Sequence, residues 1–150
     1  MPSDTYYMKL TLKLAQKARP SPNPKVGCVI VKNNKIVGKG YHKKVGDKHA
    51  EINAFNNAGD KARGATLYIN LEPCCHYGRT PPCTHAIVKA GIKKVVVGCL
   101  DRNQRVRGKG VKQLRAAGIT VRVGVLKDEC EKLNVAFFKF ITKKTPFVAL

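Results

Sequence analysis

One histidine, one glutamate and two cysteines are spaced for hydrolysis at a metal. His49-Ala50-Glu51 opens a helical stretch, Glu72-Pro73-Cys74 follows a strand-like run, and Cys83 begins the next helical stretch after eight intervening residues. One imidazole and two thiolates make three zinc ligands. Three protein ligands leave a fourth tetrahedral position open, which separates a catalytic zinc from a closed structural site, and water there has its pKa drawn down to roughly 7. Glu51, two residues from His49, is placed to act as proton shuttle. The pattern His-x-Glu followed by Pro-Cys and a second Cys is that of enzymes which replace an exocyclic ring amino group with oxygen. In such a reaction the shuttle takes a proton from water and returns protons to the ring nitrogen and the departing ammonia.

Each residue alone has a plainer reading: His49 as a helix residue, Glu51 as a solvated charge, a cysteine pair as a structural site. A zinc-stabilised binding module without catalysis would need a fourth ligand such as Cys75 or His76 and would leave Glu51 without a role. Cys75 is disfavoured because adjacent ligands are geometrically awkward, and His76 reads instead as a substrate contact. His85 is expected to pack or face solvent, and Cys28, Cys99 and Cys130 read as core thiols.

The elements that must hold these residues alternate. Tyr6 to Arg19 is an amphipathic helix with Met8, Leu12, Ala15 and Ala18 on one face, stopped by PSPNP. Val26 to Lys32 and Ile36 to Tyr41 form a hairpin about Asn33-Asn34-Lys35. His49 to Asn57 is a helix closed by Gly59, and Thr66 to Leu71 a strand feeding the cysteine loop. Pro82-Cys83 opens a helix to Ala90, capped by Gly91. Lys94 to Cys99 is a buried-type strand, Val111 to Ala117 a helix and Thr120 to Gly124 a strand. A last helix, Asp128 to Ile141, turns Leu133, Phe137 and Phe140 inward. The expected fold is α/β, three layers α/β/α about a mixed five-stranded sheet. Cys74 and Cys83 would both lie where a strand gives way to a helix, a setting that favours thiolate.

With 150 residues, 43% of them hydrophobic, the chain suits one compact domain over 1–150. No apolar run approaches a membrane helix, and MPSDTYYMKL lacks a secretion-signal layout, so a cytoplasmic protein with reduced cysteines is expected. Lys and Arg number 29 against nine Asp and Glu, a formal charge of +20, which suits an anionic partner. The lysines are spread, without a run of five and without a nucleic-acid motif, which favours a phosphorylated small molecule over nucleic acid.

The segments SPNPKVGCVIV (Ser21 to Val31), HAEINA (His49 to Ala54), ARGATLYINLEPCCHYGRTPPC (Ala62 to Cys83) and AGIKKVVVG (Ala90 to Gly98) resemble the deaminase domain of riboflavin biosynthesis, the diaminohydroxyphosphoribosylaminopyrimidine deaminases. The resemblance runs from about Tyr7 to Phe147. The long HYGRTPP-containing loop sets it apart from nucleoside, cytidylate-like and transfer-RNA deaminases, which usually place two residues between these cysteines; an RNA adenosine or cytidine deaminase is the alternative. The resemblance implies a zinc cofactor and hydrolytic loss of the amino group at ring position 2 of the phosphorylated pyrimidine. It also implies that Asn23 and His76 hold the pyrimidine, that His42 lies near the pocket wall, and that the chain self-associates.

Two departures stand out. Arg79 replaces a common Lys, and either cation pairs with the substrate phosphate. Asp101-Arg102-Asn103-Gln104 replaces Asp-Pro-Asn-Pro, keeping Asp101 and Asn103 for the ribose while making the loop more mobile. In many relatives a reductase domain follows a segment like TPFVAL; with the chain ending at Leu150, a free-standing deaminase is expected, with reduction on a separate polypeptide.

Overall fold

The computed structural model describes residues 2–18, 23–77, 81–103 and 106–143. In chain order its elements are α1 (Asp4–Gln16), β1 (Gly27–Lys32), β2 (Lys35–Tyr41), α2 (Ala50–Ala58), β3 (Thr66–Leu71), α3 (Cys83–Lys89), β4 (Lys94–Cys99), α4 (Lys109–Ala116), β5 (Thr120–Val123), α5 (Lys127–Leu133) and α6 (Val135–Lys143), with a 3-10 turn at Gly59–Ala62. The strands make one mixed sheet in the order β2-β1-β3-β4-β5. β1 runs antiparallel to both β2 and β3, whereas β3, β4 and β5 are parallel.

Alternation along the buried strands builds a core on each face. Cys28 and Ile30 of β1, Leu67 and Ile69 of β3, and Val95 and Val97 of β4 meet Ala50 and Ala54 of α2, Ile87 of α3 and Leu114 of α4. Val29, Tyr68 and Val96 face the other way, against Tyr7, Met8 and Leu12 of α1, Cys130 of α5 and Phe138 of α6. This is the expected α/β/α sandwich, and Cys28, Cys99 and Cys130 are buried thiols in it.

Local chemistry explains where the boundaries moved. α1 starts at Asp4 because Ser3 caps it, its hydroxyl oxygen accepting the Tyr6 N–H at 3.2 Å. The hairpin turn is two residues long: Asn33 and Asn34 take φ of 51° and 63°, and Lys35 already pairs with Lys32. α4 begins two residues earlier than its apolar pattern suggested, after Gly108 at φ 82°.

The last helix is two helices, broken at Asn134, whose φ and ψ of −115° and 27° interrupt the spiral. The break rotates the face beyond it, so Phe138 is buried while Phe137 is half-buried. The Phe140 side chain lies outside those described.

α2 rests directly on β2. A Cβ on Gly40 would stand 2.5 Å from the Ala50 carbonyl oxygen and the Ala54 nitrogen, and one on Gly38 would stand 2.6 Å from the Ala54 carbonyl oxygen. Ala50, Ala54 and Ala58, spaced by four, present the matching small face. Gly40→Ala should therefore destabilise the fold by about 1–3 kcal/mol through overpacking. Urea unfolding of the zinc-loaded protein checks this; an unchanged midpoint would mean α2 is free to lift.

Candidate metal centre and active site

The donor residues gather where the parallel strands end, the usual place for a site in such sheets. β3 delivers Glu72 to Cys74, β4 delivers Asp101 and Asn103, and α2 and α3 bring His49, Glu51 and Cys83 from one side. Among the described residues, His49, Cys74 and Cys83 form the group able to hold a metal, each offering one donor atom within 4.8 Å of the others. His49 Nδ1 lies 3.2 Å from Cys83 Sγ and 3.8 Å from Cys74 Sγ. With Zn–S near 2.3 Å and Zn–N near 2.0–2.1 Å, tetrahedral N and S donors stand about 3.6 Å apart, so these separations suit zinc.

Cys74 does not open a helix, contrary to the expectation from sequence. It sits in the loop beyond β3, and the first two amides of α3 reach back to it: the Cys83 N–H donates to Cys74 Sγ at 3.2 Å and the Thr84 N–H to the Cys74 carbonyl at 3.2 Å. The two cysteines are thereby tied together despite the long loop between them. The two sulfurs are pushed apart in acidity by their mutual contact, Cys83 drawing Cys74 down to about 4 and Cys74 pushing Cys83 up. The Cys74 hydrogen bond also raises His49. A thiolate, a second sulfur and an imidazole converging on one point suit a cation. Cys75 lies outside this group, its carbonyl accepting from the Gln113 amide at 3.3 Å.

Glu51, in the first turn of α2, is 3% exposed and lies beside the Cys83 thiol. Burial first, and then the negative charge of Cys74, raise its carboxyl above the ordinary range, opposed by His49. A buried carboxyl beside the metal donors is a position from which a proton can be taken and returned. It opens with the three metal donors into a cavity of about 910 Å³ that also reaches Asn23, His42, His76, Asp101 and Asn103.

The His42 ring is buried, and both its nitrogens are engaged. Its Nδ1 faces the Lys48 carbonyl at 3.1 Å, an oxygen that can only accept, so in the neutral ring Nδ1 carries the proton and Nε2 accepts from the Asn23 amide at 3.1 Å. His42 therefore aims Asn23. His76 Nδ1 is buried without a hydrogen-bond partner among the described residues. Asp101 accepts the Asn103 N–H at 2.9 Å, and burial raises its carboxyl to about 6. Arg79 lies outside the described residues. His85 is exposed at the rim, its ring edge-on to Tyr77.

Some contributors were not marked as site residues by the sequence. Phe137 lines the cavity from α6. Two buried amides hold the strand entry below Asn23: Asn134 accepts the Lys25 N–H at 2.7 Å and donates to the Lys25 carbonyl at 2.9 Å, while Asn70 donates to that carbonyl at 3.0 Å and accepts the Gly27 N–H at 2.8 Å. Asn134→Leu should cost about 1–2 kcal/mol, because it leaves the part-buried Lys25 N–H without its partner. Denaturant unfolding reads this directly, and a loss under about 0.5 kcal/mol would show that the clamp is dispensable.

Fold and site together define a class: a three-layer domain presenting three metal donors and a buried carboxylate at the ends of its parallel strands. The family described as the cytidine and deoxycytidylate deaminase zinc-binding region matches residues 1–99. The riboflavin biosynthesis protein RibD of Aquifex aeolicus is 56% identical over 149 residues, covering 98% of this chain and 42% of that protein. The diaminohydroxyphosphoribosylamino-pyrimidine deaminase of Buchnera aphidicola subsp. Schizaphis graminum is 55% identical over 138 residues, covering 91% of this chain and 94% of that protein. Acinetobacter baumannii RibD superposes with a TM-score of 0.91 at 50% identity, covering 95% of this chain and 41% of that one. The chain belongs to the zinc-binding deaminases and, within them, to the diaminohydroxyphosphoribosylaminopyrimidine deaminases of riboflavin biosynthesis. It spans about two-fifths of the RibD proteins it matches and nearly all of the Buchnera deaminase. Among the described residues no helix is long and apolar enough to cross a membrane.

Proposed function

We propose that the chain hydrolyses the ring amino group of diaminohydroxyphosphoribosylaminopyrimidine, giving 5-amino-6-(5-phosphoribosylamino)uracil and ammonia, with His49, Cys74 and Cys83 holding zinc and Glu51 moving protons. The observation that carries this reading is the buried Glu51 carboxyl against Cys83, opening with the three donors into one cavity. Zinc, when bound, supplies an acidified water at neutral pH. Glu51 accepts a proton from the attacking water and delivers one to the ring nitrogen; a second passes through it to the amine, which leaves as ammonia when the C–N bond breaks and the C=O bond is complete. Asn23, aimed by His42, and His76 hold the pyrimidine, Asp101 and Asn103 the ribose, and Arg79 the phosphate. On the strength of the resemblance to these biosynthetic enzymes we also propose that residues 1–150 act as one deaminase domain in the cytoplasm, that copies self-associate, and that a reductase activity takes the product onward.

Ammonia release by zinc-loaded protein, measured with this pyrimidine, cytidine and an adenosine-containing RNA stem-loop in parallel, tests the substrate. Release from the first alone supports the assignment. Activity on the RNA with silence on the pyrimidine would overturn it.

A further inference from the structure

We infer that Glu72 is a positioning residue that fixes the Asp101–Asn103 wall of the cavity against the metal donors; this rests on the proposed substrate reading. The carboxylate is 3% exposed, just past the end of β3 and two residues before Cys74. It takes three main-chain donors from the far wall: the Asp101 N–H at 3.2 Å and the Gly108 N–H at 2.9 Å on Oε1, and the Val111 N–H at 3.0 Å on Oε2. Among the described residues no Lys or Arg pairs with it, so amides supply its compensation.

The geometry ties three things to one group. A single oxygen holds both ends of the 101–108 segment, and the other holds the first turn of α4. The Asp101 side chain in turn accepts the Asn103 N–H, so the turn bearing both proposed ribose contacts is built on this anchor. The approach is close on the α4 side as well: a Cβ on Gly110 would stand 2.4 Å from the Pro73 carbonyl oxygen and 3.2 Å from Glu72 Oε2. Cys74 follows Pro73 directly, so the same short stretch of chain fixes a metal donor and the wall opposite. Both oxygens must accept; a glutamine would set an NH2 against an N–H donor.

The test compares wild type with Glu72→Gln by zinc content, kcat and KM on the pyrimidine, amide hydrogen exchange at Asp101, Gly108 and Val111, and a double-mutant cycle with Asn103→Ala. Gly110→Ala, which crowds the same anchor from α4, is the second variant and replaces the first should it not fold. The expected result is unchanged zinc content, KM raised about tenfold with kcat within about threefold, faster exchange at the three amides, and an Asn103→Ala effect much smaller in the variant than in wild type. Slow exchange with unchanged KM, a loss confined to kcat, or additive effects would overturn the role. A wild type inactive on the pyrimidine would count against the substrate reading instead, with amide exchange still deciding whether the clamp exists.

Discussion

Glu51→Gln should lower kcat by roughly 10²–10⁴-fold, the usual worth of a positioned proton shuttle, while zinc content and thermal midpoint stay close to wild type. The amide is nearly isosteric with the carboxyl and should fit the same buried position in the first turn of α2. What the amide lacks is the ability to accept a proton from water and pass it on. Metal analysis and steady-state kinetics on one preparation separate the outcomes. Turnover within about tenfold of wild type would remove Glu51 from the chemistry, and loss of zinc together with turnover would make it a structural neighbour of Cys83.

Removing a metal donor should be as damaging for a different reason. Cys83→Ser leaves His49 and Cys74 to hold the ion. Since structural zinc sites are worth roughly 10–16 kcal/mol over four ligands, loss of one costs about 3 kcal/mol, or about a hundredfold in affinity. The variant should be isolated largely zinc-free and inactive, and wild type stripped with a chelator should lose activity and regain it on adding zinc. A chelated protein that keeps full turnover would contradict the metal's role. His49→Ala is the milder structural probe, because His49 is exposed at the cap of α2 whereas Cys83 is buried.

The donor set could be read from sequence because its pattern is local: a helix start, a strand end and a helix start, each marked by periodicity and by Pro or Gly punctuation. The mixed sheet followed from a hairpin leading into strand-helix repeats. What escaped depends on contacts distant in sequence. Nothing near Glu72 announces that its partners lie at Asp101, Gly108 and Val111. The stretch LNVAFFKF keeps a helical pattern through Asn134, and only the bonds from that side chain to Lys25, 109 residues away, give the break a purpose. His42 was legible as a wall residue, but its task of aiming Asn23 needed the Lys48 carbonyl on its other side. The start of α1, by contrast, was within reach of local rules, since Ser3 is an ordinary N-cap.

Hydrolytic deamination is decided by running the wild-type reaction on diaminohydroxyphosphoribosylaminopyrimidine in water labelled with heavy oxygen, quantifying ammonia and weighing the product by mass spectrometry. Hydrolysis at this site places one solvent oxygen in the new ring carbonyl for each ammonia released, and Glu51→Gln forms both products at least about 100-fold more slowly. Ammonia without label in the ring, or label without ammonia, would contradict hydrolytic deamination at this site.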